Sequence, residues 1–256
     1  FAGFIYDFKD TDYTRTAYNL IKRHRYPHKF YYVSFDRPER SYRFNPLKVV
    51  RDRTELIQLM EDVLLALLPK KEQQNEWVAG GLGILRGVAF RFWDEFPEHC
   101  TLPHILAFIM TASARQLSLF LQQNLVSEML AGAYLKAEGS EKTQASYLST
   151  LCNNLATVSQ NEEIAYVLSG DDFDFNLIDP ENPKLFAVSN NFSKNSVYAP
   201  VISMLMTISA RQFSMQNRVP FVYFLDEMTT VNIKNFETLP SVLREYKAAF
   251  ILLTQS

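Results

Sequence analysis

The chain has 256 residues, 47% hydrophobic and 21% charged, with a formal net charge of −2. That size and balance belong to a folded globular protein of one large or two modest domains, and exclude a disordered or low-complexity chain. No run approaches the ~18 apolar residues of a membrane-spanning helix, no signal peptide is visible, and two cysteines, Cys100 and Cys152, give no disulfide framework.

Phe4-Ile5-Tyr6 before Asp7 predicts a short strand, and Thr14–Arg25 a helix with Ala17, Leu20 and Ile21 on one face. Lys29–Phe35 reads as a second strand. Strand, helix and strand within about 35 residues make a βαβ unit, so the sheet is expected to be parallel. Residues 1–53 carry 12 Lys/Arg against 6 acids, and the remainder 14 against 22. The basic stretch is either a path for a polyanion or a solvated face. Phe44-Asn45-Pro46-Leu47 ends this first section.

From Thr54 the period changes. Leu56, Ile57, Leu59, Met60, Val63, Leu64, Leu67 and Leu68 recur at helical spacing, with Thr54 as candidate N-cap. Further helices are expected over Trp77–Phe92, Pro103–Met110, Gln116–Leu135 and Lys142–Ala156. This argues for an all-helical domain at 54–157. The α/β pattern then resumes with a strand at Leu185–Ser189, a helix over Ala199–Gln216, a strand at Phe221–Leu225, a helix over Phe236–Tyr246 and a strand at Phe250–Leu253. The expected fold is α/β: residues 1–53 and 158–256 form one parallel-sheet domain, interrupted by the helical one.

Phe221–Leu225 is an unbroken apolar run bounded by Pro220, the pattern of a strand buried on both faces. Asp226 and Glu227 follow at its C-terminal end, where open α/β sheets bind ligands. An ionised pair there costs desolvation energy unless a cation such as Mg²⁺ on a nucleotide phosphate offsets it; a strand ending in two solvated acids is the plainer alternative. In a P-loop nucleotide hydrolase the Asp orients the Mg²⁺ shell and the Glu accepts a proton from the attacking water. Thr254-Gln255-Ser256 tips the final strand, and Gln255 there can sense a γ-phosphate.

A phosphate-cradling G-x-x-x-x-G-K-[ST] does not occur. Gly80-Gly81-x-Gly83 lacks the Lys and lies in a helical pattern, so those glycines are expected to permit close helix packing. Gly139-Ser140-Glu141-Lys142-Thr143 lacks the spaced glycine. The chain, starting at Phe1 and ending just after an apolar run, is expected to be a fragment; on the nucleotide reading, the phosphate loop and an additional strand lie upstream of Phe1. His99, Cys100 and His104 find no fourth metal ligand at suitable spacing. Asp172, Asp174 and Asn176 imitate a calcium loop, but Leu177 stands where Gly is needed, and a turn before a strand is expected instead.

In this order, the strand with D-x-K (Asp7, Lys9), F-N-P-L (44–47), the helical insertion with Trp77, the strand with Asp226-Glu227 and the strand with T-Q-S (254–256) resemble the TraG/TraD-type conjugative coupling proteins. These are DNA-pumping ATPases of type IV secretion. The resemblance spans nearly the whole chain; F-N-P-L and the segment from Phe221 to Ser256 are its most specific parts. It implies a RecA-like P-loop ATPase-type domain with an inserted all-α domain, assembled as a hexameric ring. It also implies attachment to the bacterial inner membrane through segments outside this sequence, with this chain on the cytoplasmic side. ATP and Mg²⁺ are the implied cofactors. DNA, relaxase and relaxosome proteins, and type IV secretion components are the implied partners.

By position, the resemblance makes Asp226 the magnesium and nucleotide-binding residue, Glu227 the general base and Gln255 the γ-phosphate sensor. Arg244 falls where the family has an arginine finger acting on a neighbouring subunit's nucleotide; a solvated helix-end Arg favoured by the helix dipole is the alternative. Asp7 and Lys9 match the family's Asp-Pro-Lys motif except that Phe8 replaces Pro, and both are carried as nucleotide-contacting candidates. The expected function is ATP-driven DNA translocation coupling a relaxase–DNA complex to a secretion channel, with the fragment alone inactive. Two other readings stay open. One is an interaction module whose helical block, with 7 Lys/Arg against 11 acids, recognises relaxosome proteins. The other is a related ring ATPase for DNA segregation or packaging.

Overall fold

Strands and helices alternate at both ends of the chain, and helices alone fill the middle. The computed structural model describes every residue except 10, 69–72, 74, 216–218, 234–235 and 255–256. First come β1 (Ala2–Asp7), α1 (Asp12–Arg23) and β2 (Lys29–Ser34). Then follow α2 (Arg53–Ala66), α3 (Glu76–Glu95), α4 (Leu102–Thr111), α5 (Ala114–Gln122), α6 (Leu125–Leu130), α7 (Gly132–Lys136), α8 (Glu141–Ser159) and α9 (Glu162–Leu168). The chain continues through β3 (Lys184–Ser189), α10 (Asn195–Arg211), β4 (Phe221–Asp226), α11 (Leu239–Leu243) and β5 (Ala248–Leu253). Two compact units result: Phe1–Val49 with Tyr166–Ser256, and Val50–Ala165.

In the first unit the described strands form one parallel sheet in the order β2-β3-β1-β4-β5. β1 is buried at every position because it has a strand on each side and a helix layer on each face. Its residues alternate between those faces. Phe4 meets Phe186 at 5.2 Å and Tyr223 at 6.0 Å. Ile5 joins Leu185 and Ala187 beneath Ala17 and Ile21 of α1. On the α10 side, the Tyr223 hydroxyl is 2.9 Å from Ser209 Oγ.

F-N-P-L joins the outgoing and returning chain. Phe44 is fully buried, its ring 4.9 Å from both Phe173 and Phe175. Asn45 Oδ1 accepts from Leu47 N at 3.0 Å, closing a local turn. Phe44 N donates to Val167 O at 2.8 Å, and Arg43 N to Asp172 Oδ2 at 2.7 Å. A Cβ on Gly170 would lie 2.1 Å from Arg43 Cβ, so this approach requires glycine. Asp172 thus anchors a turn ahead of β3.

β4 departs from its expected burial. Phe221, Tyr223 and Leu225 are buried, whereas Val222 and Phe224 on the opposite face are only half-buried. The reason is coverage: α1 packs over β1 and β3, and meets β4 through the Tyr13 ring, 5.1 Å from that of Phe224. Along β5, Ile251 is 47% exposed.

In the second unit the long helix α3 packs against α2, α6 and α8. A Cβ on Gly83 would sit 2.8 Å from Leu130 O, so this glycine lets two backbones touch. The single helix expected over Gln116–Leu135 is three helices, α5, α6 and α7. Asn124 breaks it: its Oδ1 accepts from Val126 N and Ser127 N at 3.1 Å each, capping α6, while its Nδ2 donates to Glu95 Oε1 at 2.8 Å. Asn161 likewise caps α9, which lay outside the expected elements, through Ile164 N at 2.8 Å. In the first unit, the helix expected over Phe236–Tyr246 shortens to α11 and a 3₁₀ turn at Arg244–Tyr246, with Pro240 in its first turn.

Candidate functional site

Chain direction marks where a ligand fits this sheet. The connection leaving β1 runs toward β2 and β3, and the one leaving β4 runs the other way to β5. Between two strands whose connections diverge, a crevice opens at their C-terminal ends. Tyr6 pairs with Leu225 in register, so Asp7 and Asp226 end neighbouring strands side by side. A cleft of about 540 Å³ lies here. Asp226 and Glu227 line it from β4, and Lys9 from the turn after β1. Asp12, Tyr13 and Thr16 on α1, with Leu253 and Thr254 at the end of β5, complete the wall.

The two aspartates are buried charges with incomplete partners. Asp7 Oδ2 accepts from Thr14 N in the first turn of α1 at 2.8 Å, a favourable place for a carboxylate at a helix N-terminus. Among the described residues, Asp7 Oδ1 and Asp226 Oδ2 have no hydrogen-bond partner. Burial pushes both carboxyls above the usual carboxylate range. For Asp226 the negative charges of Asp7 and Glu227 add to that, and the Phe8 N–H and the Lys9 ammonium work against it.

Oxygen donors with open lone pairs and an unbalanced negative charge fit a divalent cation. Among the described residues no group of three or more His, Cys, Asp or Glu gathers as ligands. An ion here would therefore be held by one or two carboxylates, with water or phosphate oxygens filling the rest, the usual arrangement for Mg²⁺ on a nucleotide.

Glu227 has left-handed backbone dihedrals, φ 47° and ψ 51°. For a residue with a Cβ this costs roughly 1–2 kcal/mol, and it turns the chain sharply at the end of β4. The turn is held by Thr230, whose N and Oγ1 both donate to Glu227 O, at 2.9 and 2.7 Å.

The candidate residues thus divide. Asp226, Glu227 and Lys9 share the cleft, and Asp7 adjoins Asp226 while bonding to α1. Gln255 lies outside the described residues. Arg244 is exposed and precedes β5, one strand length (roughly 20 Å) from the sheet edge that carries Asp226, so it does not join the cleft of its own chain. Sequence reasoning missed Asp12, Tyr13 and Thr16. Their spacing puts them near one side of the first turns of α1, a signal that gains meaning only once the strand order is known.

Residues 5–256 match the family described as type IV secretory system conjugative DNA transfer. No curated relative matches the chain. Among solved structures, the bacterial conjugative coupling protein TrwB in a trigonal form with sulphate is 15% identical with a TM-score of 0.67, covering 100% of this chain and 63% of that one. TrwB in complex with ADP and Mg²⁺ is 14% identical at a TM-score of 0.67, and TrwB with the ATP analogue ADPNP is 14% identical at 0.66. Each covers 100% of this chain and 64% of its own, so this chain spans less than two thirds of the TrwB structures it matches. They share its RecA-like α/β fold. The chain belongs to the type IV secretory system conjugative DNA transfer family.

Proposed function

We propose that this chain supplies the catalytic strand ends and the helical insertion of an ATP-driven DNA translocase that couples relaxase-bound DNA to a type IV secretion channel. The observation that carries this reading is the acidic cleft at the switch point, where Asp226, with one oxygen unpartnered among the described residues, and Glu227 on a sharp turn face the same 540 Å³ space. TrwB has been solved with ADP and Mg²⁺ and with ADPNP, which supports ATP and Mg²⁺ as the ligands.

In this mechanism Asp226 would hold Mg²⁺, and Lys9 would balance charge beside it. An ion held there would supply neutralisation of the charge that develops on the transferred phosphoryl group. Glu227 takes the proton of the attacking water. Gln255, one residue beyond the cleft-lining Thr254, would sense the γ-phosphate. Arg244, exposed and away from its own cleft, suits contact with a nucleotide on a neighbouring subunit of a ring. Asp7 orients α1 and shapes the electrostatics of Asp226 at the nucleotide edge. The basic balance of residues 1–53 suits a DNA path, and Leu125 and Met129 on α6, 71% and 73% exposed, suit a protein partner such as a relaxosome component. With no phosphate-cradling loop in its sequence, this chain by itself would not turn over ATP. A place at the inner membrane, with this chain on the cytoplasmic side, fits the reading; among the described residues no helix is long and apolar enough to cross a membrane.

Glu227→Gln in the full-length protein tests the reading. It keeps the side chain's size and removes the base, so turnover falls by about 10²–10⁴-fold while nucleotide stays bound. Unchanged turnover would remove Glu227 from the chemistry.

A further inference from the structure

Behind the cleft runs a chain of hydrogen bonds that the proposed chemistry does not use. Asn190, after β3, donates from Nδ2 to the Tyr6 hydroxyl at 2.8 Å and to Asn195 Oδ1 at 2.7 Å. The Tyr6 hydroxyl is 2.7 Å from Thr230 Oγ1, which is 2.7 Å from Glu227 O. Proton counting fixes the direction of every link. Glu227 O can only accept, so the Thr230 hydroxyl spends its one proton there. Tyr6 must then donate to Thr230 Oγ1, and Asn190 must donate to Tyr6. The orientation of the Asn190 amide is set independently, because its Oδ1 accepts from Asn191 N at 2.8 Å. Asn190 is itself tied to the acidic edge by its own N–H, which donates to Asp7 O at 2.8 Å.

Tyr6 is fully buried on the central strand, and Asn190 is 3% exposed. Such a network, buried at Tyr6 and Asn190 and half-buried at Thr230, favours one arrangement of the groups it joins. What it ends on is the carbonyl of the residue with left-handed backbone, the one whose side chain faces the cleft. Without the Thr230 hydroxyl, the strained peptide after Glu227 loses the side-chain donor, keeps the Thr230 N–H, and gains freedom to relax.

We infer that Tyr6 and Thr230 are positioning residues for Glu227: the Asn190–Tyr6–Thr230 relay, running across the ends of β3, β1 and β4, holds Glu227 in its left-handed turn and so aims its carboxylate into the cleft. This rests on the reading of Glu227 as the base. The aim of a base is needed for turnover and not for holding nucleotide, so the relay acts on kcat and leaves binding alone.

The test uses the full-length protein and three substitutions beside Glu227→Gln: Thr230→Val, isosteric without the hydroxyl; Tyr6→Phe, which removes the relay's middle donor; and Thr230→Ser, which keeps the hydroxyl. ATP turnover, ADPNP binding and thermal unfolding are measured for each. Thr230→Val and Tyr6→Phe are expected to lose about tenfold or more in kcat with ADPNP binding retained, and Thr230→Ser to recover most of the turnover. Wild-type kcat in Thr230→Val and Tyr6→Phe, with Glu227→Gln inactive, overturns the relay and leaves the base in place. Joint loss of ADPNP binding and thermal stability in both, unrestored by Thr230→Ser, makes the network part of the fold and also overturns it. Normal turnover in Glu227→Gln instead removes the base on which the relay rests.

Discussion

Asp226 carries the clearest conflict between stability and use. The residue is 5% exposed, one carboxyl oxygen lacks a partner among the described residues, and Asp7 and Glu227 add negative charge nearby. Burial lifts its pKa in the folded chain above the unfolded value, so the folded state binds its proton more tightly. Stability from this group therefore rises as pH falls from neutral through the folded pKa, and levels off near the unfolded value of about 4. Asp226→Asn removes that dependence. In the absence of Mg²⁺, the variant of this chain should unfold at a higher temperature than the parent at neutral pH, with the gap closing as pH drops toward about 4. Each kcal/mol recovered shifts Tm by about 2–4 °C at this chain length. Scanning calorimetry across that range measures it, and a variant less stable at neutral pH would show that the carboxylate is well compensated already.

At this scale the sequence was informative about chemistry and silent about conformation. An apolar run ending in two acids marks Asp226 and Glu227 as strand-end carboxylates. Nothing in the letters marks Glu227 as left-handed, because glutamate has no preference for that region and tertiary contacts impose it. Asp7 was legible as an acid at a strand end, but its bond to Thr14 N depends on where α1 begins.

Among elements, α3 of the helical unit is held by a buried charge. Arg91 is 6% exposed; its Nε donates to Glu95 Oε2 at 2.8 Å, its guanidinium also bonds the Phe120 carbonyl, and it lies 4.1 Å from the Phe120 ring centroid. Glu95 is also hydrogen-bonded by Asn124, and both interactions hold its carboxyl below the ordinary range. Arg91→Ala therefore removes packing, a cation–π contact and one of two partners of Glu95, at a cost of about 3 kcal/mol. Arg91→Met fills most of the space and should cost less than half of that. Urea unfolding of both variants decides the matter: equal losses would mean that charge, not packing, dominates.

The same region shows why element boundaries were only partly readable. Leu117, Leu121, Ala131 and Leu135 keep a helical rhythm across Asn124, so the hydrophobic pattern alone runs α5, α6 and α7 together. An internal asparagine was the available signal, and its capping preference outweighs continuation where two acids of α3 bind its amide. Strand positions were easier, since short β-branched and aromatic runs between turn residues have few alternatives.

Strand order belongs to the whole molecule, and composition along the chain did not reveal it. A βαβ pattern predicts parallel pairing, but not that β1 lies between β3 and β4. That order, with Tyr6 opposite Leu225, brings residues more than 200 positions apart to one edge and makes the cleft. Shifting the register by one residue would turn either aspartate to the other face. The half-buried Val222 and Phe224 also follow from this order, because β4 lies beyond the part of the sheet that α1 covers.

The proposed function requires the nucleotide's metal ion at that edge. A crystal structure of the full-length protein with ADPNP and Mg²⁺ measures this directly. The ion is expected within about 4 Å of the Asp226 carboxylate, bound directly or through one ligating water, with the γ-phosphate over the cleft beside Glu227. Nucleotide and ion at the opposite edge of the sheet, or on the helical unit, would contradict it.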